Sequence, residues 1–289
     1  MTQFSDDVKV FAPSRAEMDL QEPEQIRSVM RRYQPQLVIN AAAYTAVDQA
    51  ESDPDLAMRI NADAPAVIAE EAQRLGAALI HYSTDYVFDG TQAAPYEEDA
   101  TPHPLNVYGR SKLLGEQHIA RLCQAHWIVR CSWIYSTHGR NFLRTFWRLA
   151  QQRQELQVVD DQIGAPTWAR SIGAATAQML NEAMRSSNGV LDYIGTHAGI
   201  YHMAAHGQTS WHGMAMHILQ RMEKAGIALL LTPEHLLAIP SDSYPTAAQR
   251  PMNSKLATEK LARVFKVNLP DWHDDLDACM TELLQSPAA

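Results

Sequence analysis

The amino-acid sequence predicts an α/β fold in which a parallel sheet with helices on both faces is joined to a smaller mixed α/β domain. The first half alternates short apolar runs with amphipathic helical patterns, which is typical of βαβ units and a parallel sheet. The second half loses this alternation and contains Gly-, His- and Pro-marked stretches instead. The length of 289 residues suits one or two domains with a sizeable core.

The elements of the first half follow from two hydrophobic patterns. Short apolar runs predict strands, which cover residues 8–11, 36–40, 78–83 and 127–133. Apolar side chains at spacings of three and four predict helices, which cover residues 21–33, 54–75 and 108–123. Because parallel sheets bind ligands beyond the carboxyl ends of their strands, the residues that follow 36–40 and 78–83 are the first candidates for a site.

The second half is less regular. Its predicted helices cover residues 141–153, 168–184 and 272–285. The change in composition places the dinucleotide-type sheet domain at residues 1–134, with later segments returning to it near 156–184 and 199–224. The smaller domain is then expected to consist mainly of residues 135–155 and 225–289.

Composition and charge argue against several classes of protein. The chain has 24 Lys+Arg and 33 Asp+Glu, and its net charge of −9 disfavours general binding to nucleic acid or to an anionic membrane. No apolar run approaches the ~20 residues of a membrane span, and no signal peptide is expected from the first residues. The 3 cysteines are widely spaced and form no CxxC pair, which indicates reduced thiols and a cytoplasmic location.

A tyrosine and a lysine four residues apart give the strongest chemical signal. Tyr108 and Lys112 begin a predicted helix, and this spacing puts both side chains on one face. A phenol with a pKa of ~10 exchanges protons poorly near neutrality, and a neighbouring ammonium group is expected to lower that pKa. The pair is therefore a candidate for proton transfer, although such pairs also occur on solvated helix faces.

Two strand ends supply further candidates. Ser83, Thr84 and Asp85 end one predicted strand, where small hydroxyl groups can hydrogen-bond a substrate carbonyl or, alternatively, only turn the chain. The small residues from Asn40 to Thr45 follow another predicted strand. They would let a flat cofactor approach the backbone, or they form only a tight joint between a strand and a helix.

Seven ordered motifs carry a more specific resemblance. They are NAAAYTAVDQAE, STDYVFDG, PLNVYGRSKLLGE, RCSWIY, DQIGAPTWA, GIYHMAAHGQTSWH and YPTAAQRPMNS. From about residue 18 to the C-terminus the sequence resembles the dTDP-4-dehydrorhamnose reductase family of extended short-chain dehydrogenases/reductases. This resemblance implies a Rossmann-like sheet and reduction, by NADPH or NADH, of the C4 keto group of dTDP-4-dehydro-L-rhamnose to give dTDP-L-rhamnose. Such a step belongs to the biosynthesis of nucleotide sugars and of surface polysaccharides such as O-antigen, and the resemblance is compatible with a homodimer.

The resemblance also implies roles for individual residues. Tyr108 would protonate the sugar oxygen, Lys112 would tune Tyr108 and hold the nicotinamide ribose, and Thr84 would hydrogen-bond the reacting oxygen. The other substrate contacts would be Asp85, Tyr86, Trp133 and Arg250. The cofactor would lie along Ala43, Tyr44 and Thr45, with its adenine near Asp19 and Leu20. The guanidinium of Arg250 would pair with the diphosphate, unless Arg250 is an ordinary surface residue.

One family feature is missing from the sequence. Proteins of this type open with a strand and a Gly-rich turn that seats the cofactor's pyrophosphate on a helix N-terminus. Here the first glycine is Gly76, and no GxxGxxG occurs. The resemblance therefore predicts that the sequence starts near the second strand, through a late assigned start or a truncated form, and that it binds a dinucleotide poorly. After the predicted strand at residues 8–11, an acidic residue would bind the ribose 2′-hydroxyl and favour NAD. The sequence has Ser14 and Arg15 there, whose hydroxyl and guanidinium could accommodate a 2′-phosphate and so favour NADPH.

Two other functions stay open. A non-catalytic binding or regulatory subunit of the same fold would fit the missing Gly-rich turn, but it would not need Thr84, Tyr108 and Lys112. A nucleotide-sugar epimerase is the other, and RCSWIY and GQTSWH favour the reductase over it. A metal site is not predicted, because no HExxH pattern includes His197, His202, His206 or His212. The resemblance allows Mg²⁺, but no acidic cluster in the sequence identifies a site for it.

Overall fold

The computed structural model describes residues 8–285, and the structural statements below concern those residues. The strands, in chain order, are β1 (Leu37–Asn40), β2 (Ala78–Thr84), β3 (His126–Cys131), β4 (Ile134–Tyr135), β5 (Leu156–Val159), β6 (Ile163–Gly164), β7 (Thr167–Trp168), β8 (Gly199–Met203), β9 (Thr209–Ser210) and β10 (Leu236–Ile239). The main sheet has the spatial order β1–β2–β3–β8, and all of its pairs are parallel. Three two-stranded pairs, β5 with β10, β4 with β7 and β6 with β9, lie outside it.

Helices connect and cover these strands. They are α1 (Pro23–Tyr33), α2 (Val47–Ser52), α3 (Pro54–Met58), α4 (Ala64–Leu75), α5 (Val107–Leu122), α6 (Phe142–Ala150), α7 (Ala169–Arg185), α8 (Val190–Thr196), α9 (Trp211–Lys224), α10 (Glu259–Phe265) and α11 (Trp272–Gln285). Short 3-10 turns are formed by Asp85–Val87, Pro233–His235 and Ser241–Ser243. None of the helices in residues 8–285 is long and apolar enough to cross a membrane.

The two faces of the main sheet are covered by different apolar clusters. Along β2 and β3, Ile80 and Trp127 point to one face and Leu79 and Ile128 to the other, as expected where side chains alternate along a strand. One face packs against α7 and α10, and the other against α1, α4 and α5. The predicted α/β class with helices on both faces of a parallel sheet is confirmed.

A second apolar core lies outside the main sheet. It is formed mainly by α6, α9 and α11, with contributions from β5 and β10. The expected division of the chain into two domains stays a prediction. Because it assigns residues 199–224 to the sheet domain, it would separate α9 from α6 and α11, against which α9 packs.

The strand predicted at residues 8–11 is wrong. These residues form no strand, and the side chains of Val10 and Phe11 are 65% and 53% exposed. Phe11 stacks on Tyr33 of α1 with ring centroids 4.5 Å apart, so the run is held by a helix rather than by the sheet. An apolar run becomes a strand only where a neighbouring strand pairs with its backbone, and the sequence pattern cannot report that pairing.

The single helix predicted at residues 54–75 is interrupted. A π-helical turn, Arg59–Asp63, separates α3 from α4. Inside it, the Asn61 side chain bonds the backbone of Tyr44 and the hydroxyl of Ser111. Such single π turns often occur at functional sites. The other predicted elements are present, with ends that differ by at most three residues.

Candidate active site

The first turn of α5 carries Tyr108 to the end of β2. The helix is capped by Asn106, whose side-chain oxygen accepts from the backbone N–H of Gly109 at 2.8 Å. Gly109 lies so close to the chain after β2 that a Cβ there would come within 2.1 Å of the carbonyl oxygen of Tyr86. The glycine in YGRSK is therefore needed for the approach of the helix to the strand end.

Tyr108, Thr84 and Asp85 form a connected hydrogen-bond chain. The Thr84 hydroxyl donates to Oδ1 of Asp85 at 2.9 Å, and Thr84 also forms a hydrogen bond with the Tyr108 phenol. Ser132, at the end of β3, donates from Oγ to the other Asp85 oxygen at 3.1 Å. Thr84, Asp85 and Ser132 are all buried. Because the hydroxyl proton of Thr84 points to Asp85 and its oxygen accepts from the backbone N–H of Tyr86 at 3.2 Å, one lone pair remains for the phenol. To donate to a ligand carbonyl, the hydroxyl must turn away from Asp85.

Burial dominates the acid–base properties of this chain. It raises the pKa of Tyr108 to about 12, and the hydrogen bond with Thr84 acts in the opposite direction. This net shift is opposite to the one expected from a nearby Lys112 ammonium. Burial also raises the pKa of the Asp85 carboxyl to about 6, against the hydrogen bonds from Thr84 and Ser132. At neutral pH Tyr108 therefore keeps its proton, which suits a proton donor.

Lys112 is buried below Tyr108 on the same helix and is 1% exposed. Its Nζ donates to the carbonyl oxygen of Tyr82 at 2.6 Å and lies 3.1 Å from Nε2 of His81. Burial lowers the pKa of Lys112 to about 8, while the nearby Glu116 carboxylate raises it. A weakly basic, buried lysine of this kind can change its charge near neutral pH.

The loop after β1 is held open beside this group. Asn61 accepts from the backbone N–H of Tyr44 at 2.8 Å and donates to the Tyr44 carbonyl oxygen at 3.0 Å. Thr45 is exposed, and Ala43 and Tyr44 are half-buried. Sequence reasoning missed Asn61, because the π turn that aims its side chain has no recognisable sequence pattern. The exposed small residues leave room for a flat ring along the backbone, and the contact of this loop with the cofactor stays a prediction.

The residues predicted for the adenosine end lie at the surface. The Ser14 hydroxyl donates to Glu17 at 2.9 Å, and the Arg15 side chain, 77% exposed, lies 3.6 Å from Asp19. Asp19 and Leu20 are half-buried just before α1. The described part of the chain contains no Gly-rich turn between a strand and a helix, in agreement with Gly76 being the first glycine. The arrangement leaves Arg15 free to reorient toward an anion, and its role stays a prediction.

A cleft of about 1480 Å³ is lined mainly by residues of the second half of the chain, and Arg250 connects it to this site. Its walls combine aromatic, aliphatic and polar side chains, among them Phe142, Leu156, Trp211, Tyr244 and Arg250. At its inner end, Arg250 forms two hydrogen bonds with Asp48, at 3.0 and 2.6 Å, and another with Tyr86. The ring of Tyr86 meets that of Tyr108 edge to face, with centroids 5.8 Å apart. The cleft therefore opens beside the proton-donating group.

Two tryptophans stack at the side of this cleft. Trp133, just after β3, lies parallel to Trp211, with ring centroids 3.6 Å and planes 7° apart. A Cβ on Gly164 would come within 2.5 Å of the Trp133 indole, which is packed between Gly164 and Trp211. Trp133 is 9% exposed, whereas Trp211 lines the cleft. Sequence reasoning named only Trp133, although the quoted segment GQTSWH contains Trp211.

Residues 8–285 hold no group of three or more His, Cys, Asp or Glu side chains arranged to bind a metal ion. His202 lies on β8 and bonds the carbonyl oxygen of Tyr96, whereas His206 lies beyond the end of that strand. The two histidines therefore do not share that strand.

The sheet, the Thr84 strand end and the Tyr108–Lys112 helix define a protein of the extended short-chain dehydrogenase/reductase type. A family described as "RmlD substrate binding domain" matches residues 2–285. The chain belongs to this family. The dTDP-4-dehydrorhamnose reductases of Burkholderia thailandensis and Escherichia coli K12 are 44% and 42% identical to it, over 94% and 93% of this chain and 90% and 87% of theirs. The resemblance seen in the sequence motifs is confirmed.

Solved structures agree. The dTDP-4-dehydrorhamnose reductase of Bacillus anthracis, in complex with NADP, has a TM-score of 0.80 and 34% identity, covering 94% of this chain and 89% of that one. A Clostridium acetobutylicum dTDP-4-dehydrorhamnose reductase ortholog has a TM-score of 0.85 and 30% identity, covering 97% and 92%. These matches support the Rossmann-like fold across most of the described chain.

Proposed function

We propose that this protein reduces the C4 keto group of dTDP-4-dehydro-L-rhamnose with NADPH or NADH, giving dTDP-L-rhamnose. The observation that carries the proposal is the hydrogen-bond chain from Tyr108 through Thr84 to Asp85, which Tyr86 and Arg250 connect to the cleft of about 1480 Å³. The relatives named dTDP-4-dehydrorhamnose reductase and the one solved with NADP support the choice of substrate and cofactor. The product would enter surface polysaccharide biosynthesis, and the proposed location is cytoplasmic.

The residues of this chain divide the chemistry among themselves. The bound cofactor supplies the hydride. When the substrate binds, the Thr84 hydroxyl turns from Asp85 and donates to the keto oxygen, and Tyr108 donates its phenolic proton to that oxygen as negative charge develops on it. Because burial keeps Tyr108 protonated near neutral pH, the donor is ready before the substrate binds. Before the substrate binds, Ser132 and Thr84 both donate to Asp85, which holds the Thr84 hydroxyl at the strand end.

Binding of the two ligands uses different surfaces. Ala43, Tyr44 and Thr45 would lie along the nicotinamide end, with Lys112 holding its ribose and with Ser14, Arg15, Asp19 and Leu20 near the adenosine. Tyr86, Trp133 and Asp85 would border the sugar. Arg250 would bind the diphosphate by exchanging Asp48 for phosphate oxygens, because a guanidinium forms paired bonds with either anion.

The test is a coupled measurement of turnover and binding with the purified chain. NADPH or NADH consumption is followed by absorbance after addition of enzymatically prepared dTDP-4-dehydro-L-rhamnose, and the product is identified as dTDP-L-rhamnose by mass and NMR. We expect reduction at C4 with one cofactor oxidised per product formed, but with weak cofactor binding and slow turnover, because the described residues hold no Gly-rich turn for the pyrophosphate. Binding of the keto-sugar nucleotide without cofactor oxidation would instead favour a binding or regulatory subunit. Release of an epimerised sugar nucleotide that still carries its C4 keto group would favour an epimerase.

A further inference from the structure

Lys112 is held by a histidine that the proposed chemistry does not use. His81 lies in the middle of β2 with no exposed surface, between β1 and α5. Its Nε2 is 3.1 Å from Nζ of Lys112, and its Nδ1 is 3.0 Å from Nδ2 of Asn40. Burial lowers the pKa of His81 well below its usual value, so the ring is neutral and carries a single proton.

A neutral ring has only one bare nitrogen, so it cannot accept hydrogen bonds from two donors. The Asn40 amide group, turned with Nδ2 toward the ring, donates to Nδ1 and leaves the ring proton on Nε2. An N–H at Nε2 repels an ammonium group but donates well to a neutral amine. If the Asn40 amide turned over, Oδ1 would accept from Nδ1–H, and the bare Nε2 would accept from an ammonium. The two arrangements differ by one proton on Lys112.

We propose that Asn40 and His81 are positioning residues that control the charge of Lys112, and that the observed turn of the Asn40 amide favours the neutral amine form of the lysine over the ammonium form. The amide is kept in this turn by the backbone N–H of Ala42, which donates to Oδ1 at 3.3 Å. Ala42 belongs to the loop proposed to carry the cofactor. A ligand that moves this loop therefore releases the amide, moves the ring proton to Nδ1 and favours the ammonium form of Lys112.

The other ionisable groups around Lys112 do not provide this control. On α5, Glu116 is already paired with Arg130 of β3, whose Nη2 is 2.7 Å from its carboxylate, and Ser83 of β2 also donates to it. The Cys131 thiol on β3 has a pKa raised by burial, so it is uncharged near neutrality. Asp85, after β2, is occupied by Thr84 and Ser132, and Tyr108 remains protonated. The Asn40–His81 pair, by contrast, can change whether Nε2 of His81 donates to Lys112 or accepts from it.

The inference rests on the proposed function for its purpose, but its test does not need turnover. The full chain is labelled with ¹³C at the lysine ε carbon, the Lys112 resonance is assigned with Lys112→Arg, and its titration is followed without ligands. We expect Lys112 to titrate near its pKa of about 8. Asn40→Asp, whose carboxylate can only accept, should raise this pKa by about one unit or more, because it forces the ring proton onto Nδ1.

The dependence on His81 separates relay through the ring from a simple charge effect. In a His81→Phe background, Asn40→Asp should move the Lys112 pKa by less than half as much. Asn40→Ser, which removes the amide without adding charge, should also raise the pKa of Lys112. It replaces Asn40→Asp in the experiment if Asn40→Asp does not fold. The matched control is His126→Phe on β3, a buried histidine bonded to the Cys123 carbonyl oxygen, which should leave Lys112 unchanged.

The inference is overturned if Asn40→Asp leaves the pKa of Lys112 unmoved, or shifts it equally with and without His81. It survives if the chain fails to reduce the keto-sugar, since the titration is measured without substrate. If the chain is active, the alkaline limit of kcat should move to higher pH in Asn40→Asp, in step with the Lys112 titration. An active chain with an unmoved Lys112 would refute this inference and leave the proposed function intact.

Discussion

The two walls of the site hold their polar groups in different ways. On the sheet side, Thr84, Asp85 and Lys112 are buried and bonded to neighbours on strands and a helix, so their positions are set before a ligand arrives. On the cleft side, Trp211 and Arg250 are only partly buried, and Arg250 is held by an exposed Asp48. The prepositioned groups of the sheet side suit transition-state stabilisation. The cleft side suits binding of a charged ligand that takes the place of an existing ion pair, such as that of Arg250 with Asp48.

The largest expected effect tests the sheet-side wall. Tyr108→Phe should lower kcat by about 10²–10⁴-fold and leave KM for both ligands nearly unchanged, because it removes the proton donor but not the ring. Steady-state kinetics of the pure variant measure this. The control is Tyr201→Phe, which removes a buried hydroxyl bonded to the His197 carbonyl oxygen outside the site. Wild-type kcat in Tyr108→Phe would end the assignment of Tyr108 as proton donor.

An intermediate effect tests the cleft-side wall. Trp211→Ala should weaken the nucleotide-sugar by roughly tenfold to a hundredfold, because the indole lining the cleft is lost, while cofactor binding stays nearly unchanged. Calorimetric titration of each ligand gives both affinities. Trp147→Ala, which removes an indole packed on the second core from α6, controls for lost stability. Equal weakening of both ligands by Trp211→Ala would show that the two walls are not independent.

The smallest effect concerns pH. The buried Asp85 carboxyl has a pKa raised to about 6, and the hydrogen bond from Ser132 lowers it. Only the ionised form accepts from both Thr84 and Ser132, so activity should fall as the pH drops through this pKa. In Ser132→Ala the pKa should rise, and the acid limit of kcat should move to higher pH by up to about one unit.

A matched serine checks that result. Ser171→Ala removes a similar bond, from Ser171 to the buried Asp275, in a part of the chain outside the candidate site. It should leave the pH profile of kcat unchanged. An acid limit that stays in place, or moves to lower pH, in Ser132→Ala would mean that Asp85 does not control the Thr84 hydroxyl.

Local patterns sufficed for part of this molecule. The helix of Tyr108 and Lys112 and the strand that ends at Thr84 were predicted, because hydrophobic periodicity and the strand-end rule are local signals. The strand at residues 8–11 failed, because strand formation depends on a partner that local sequence does not specify. Asn61 and His81 could not be found either. Their roles depend on a π turn and on which side chains neighbouring strands bring together, and both are tertiary properties.

The stacked indoles of Trp133 and Trp211 have an optical consequence. Two aromatic chromophores 3.6 Å apart and nearly parallel couple electronically, so their ultraviolet absorption, circular dichroism and emission differ from those of isolated tryptophans. Trp211 faces the cleft, so a molecule entering there perturbs one partner of the coupled pair. The protein therefore carries a built-in chromophore at the side of its cleft, and occupancy of that cleft can be read from unlabelled protein by light alone.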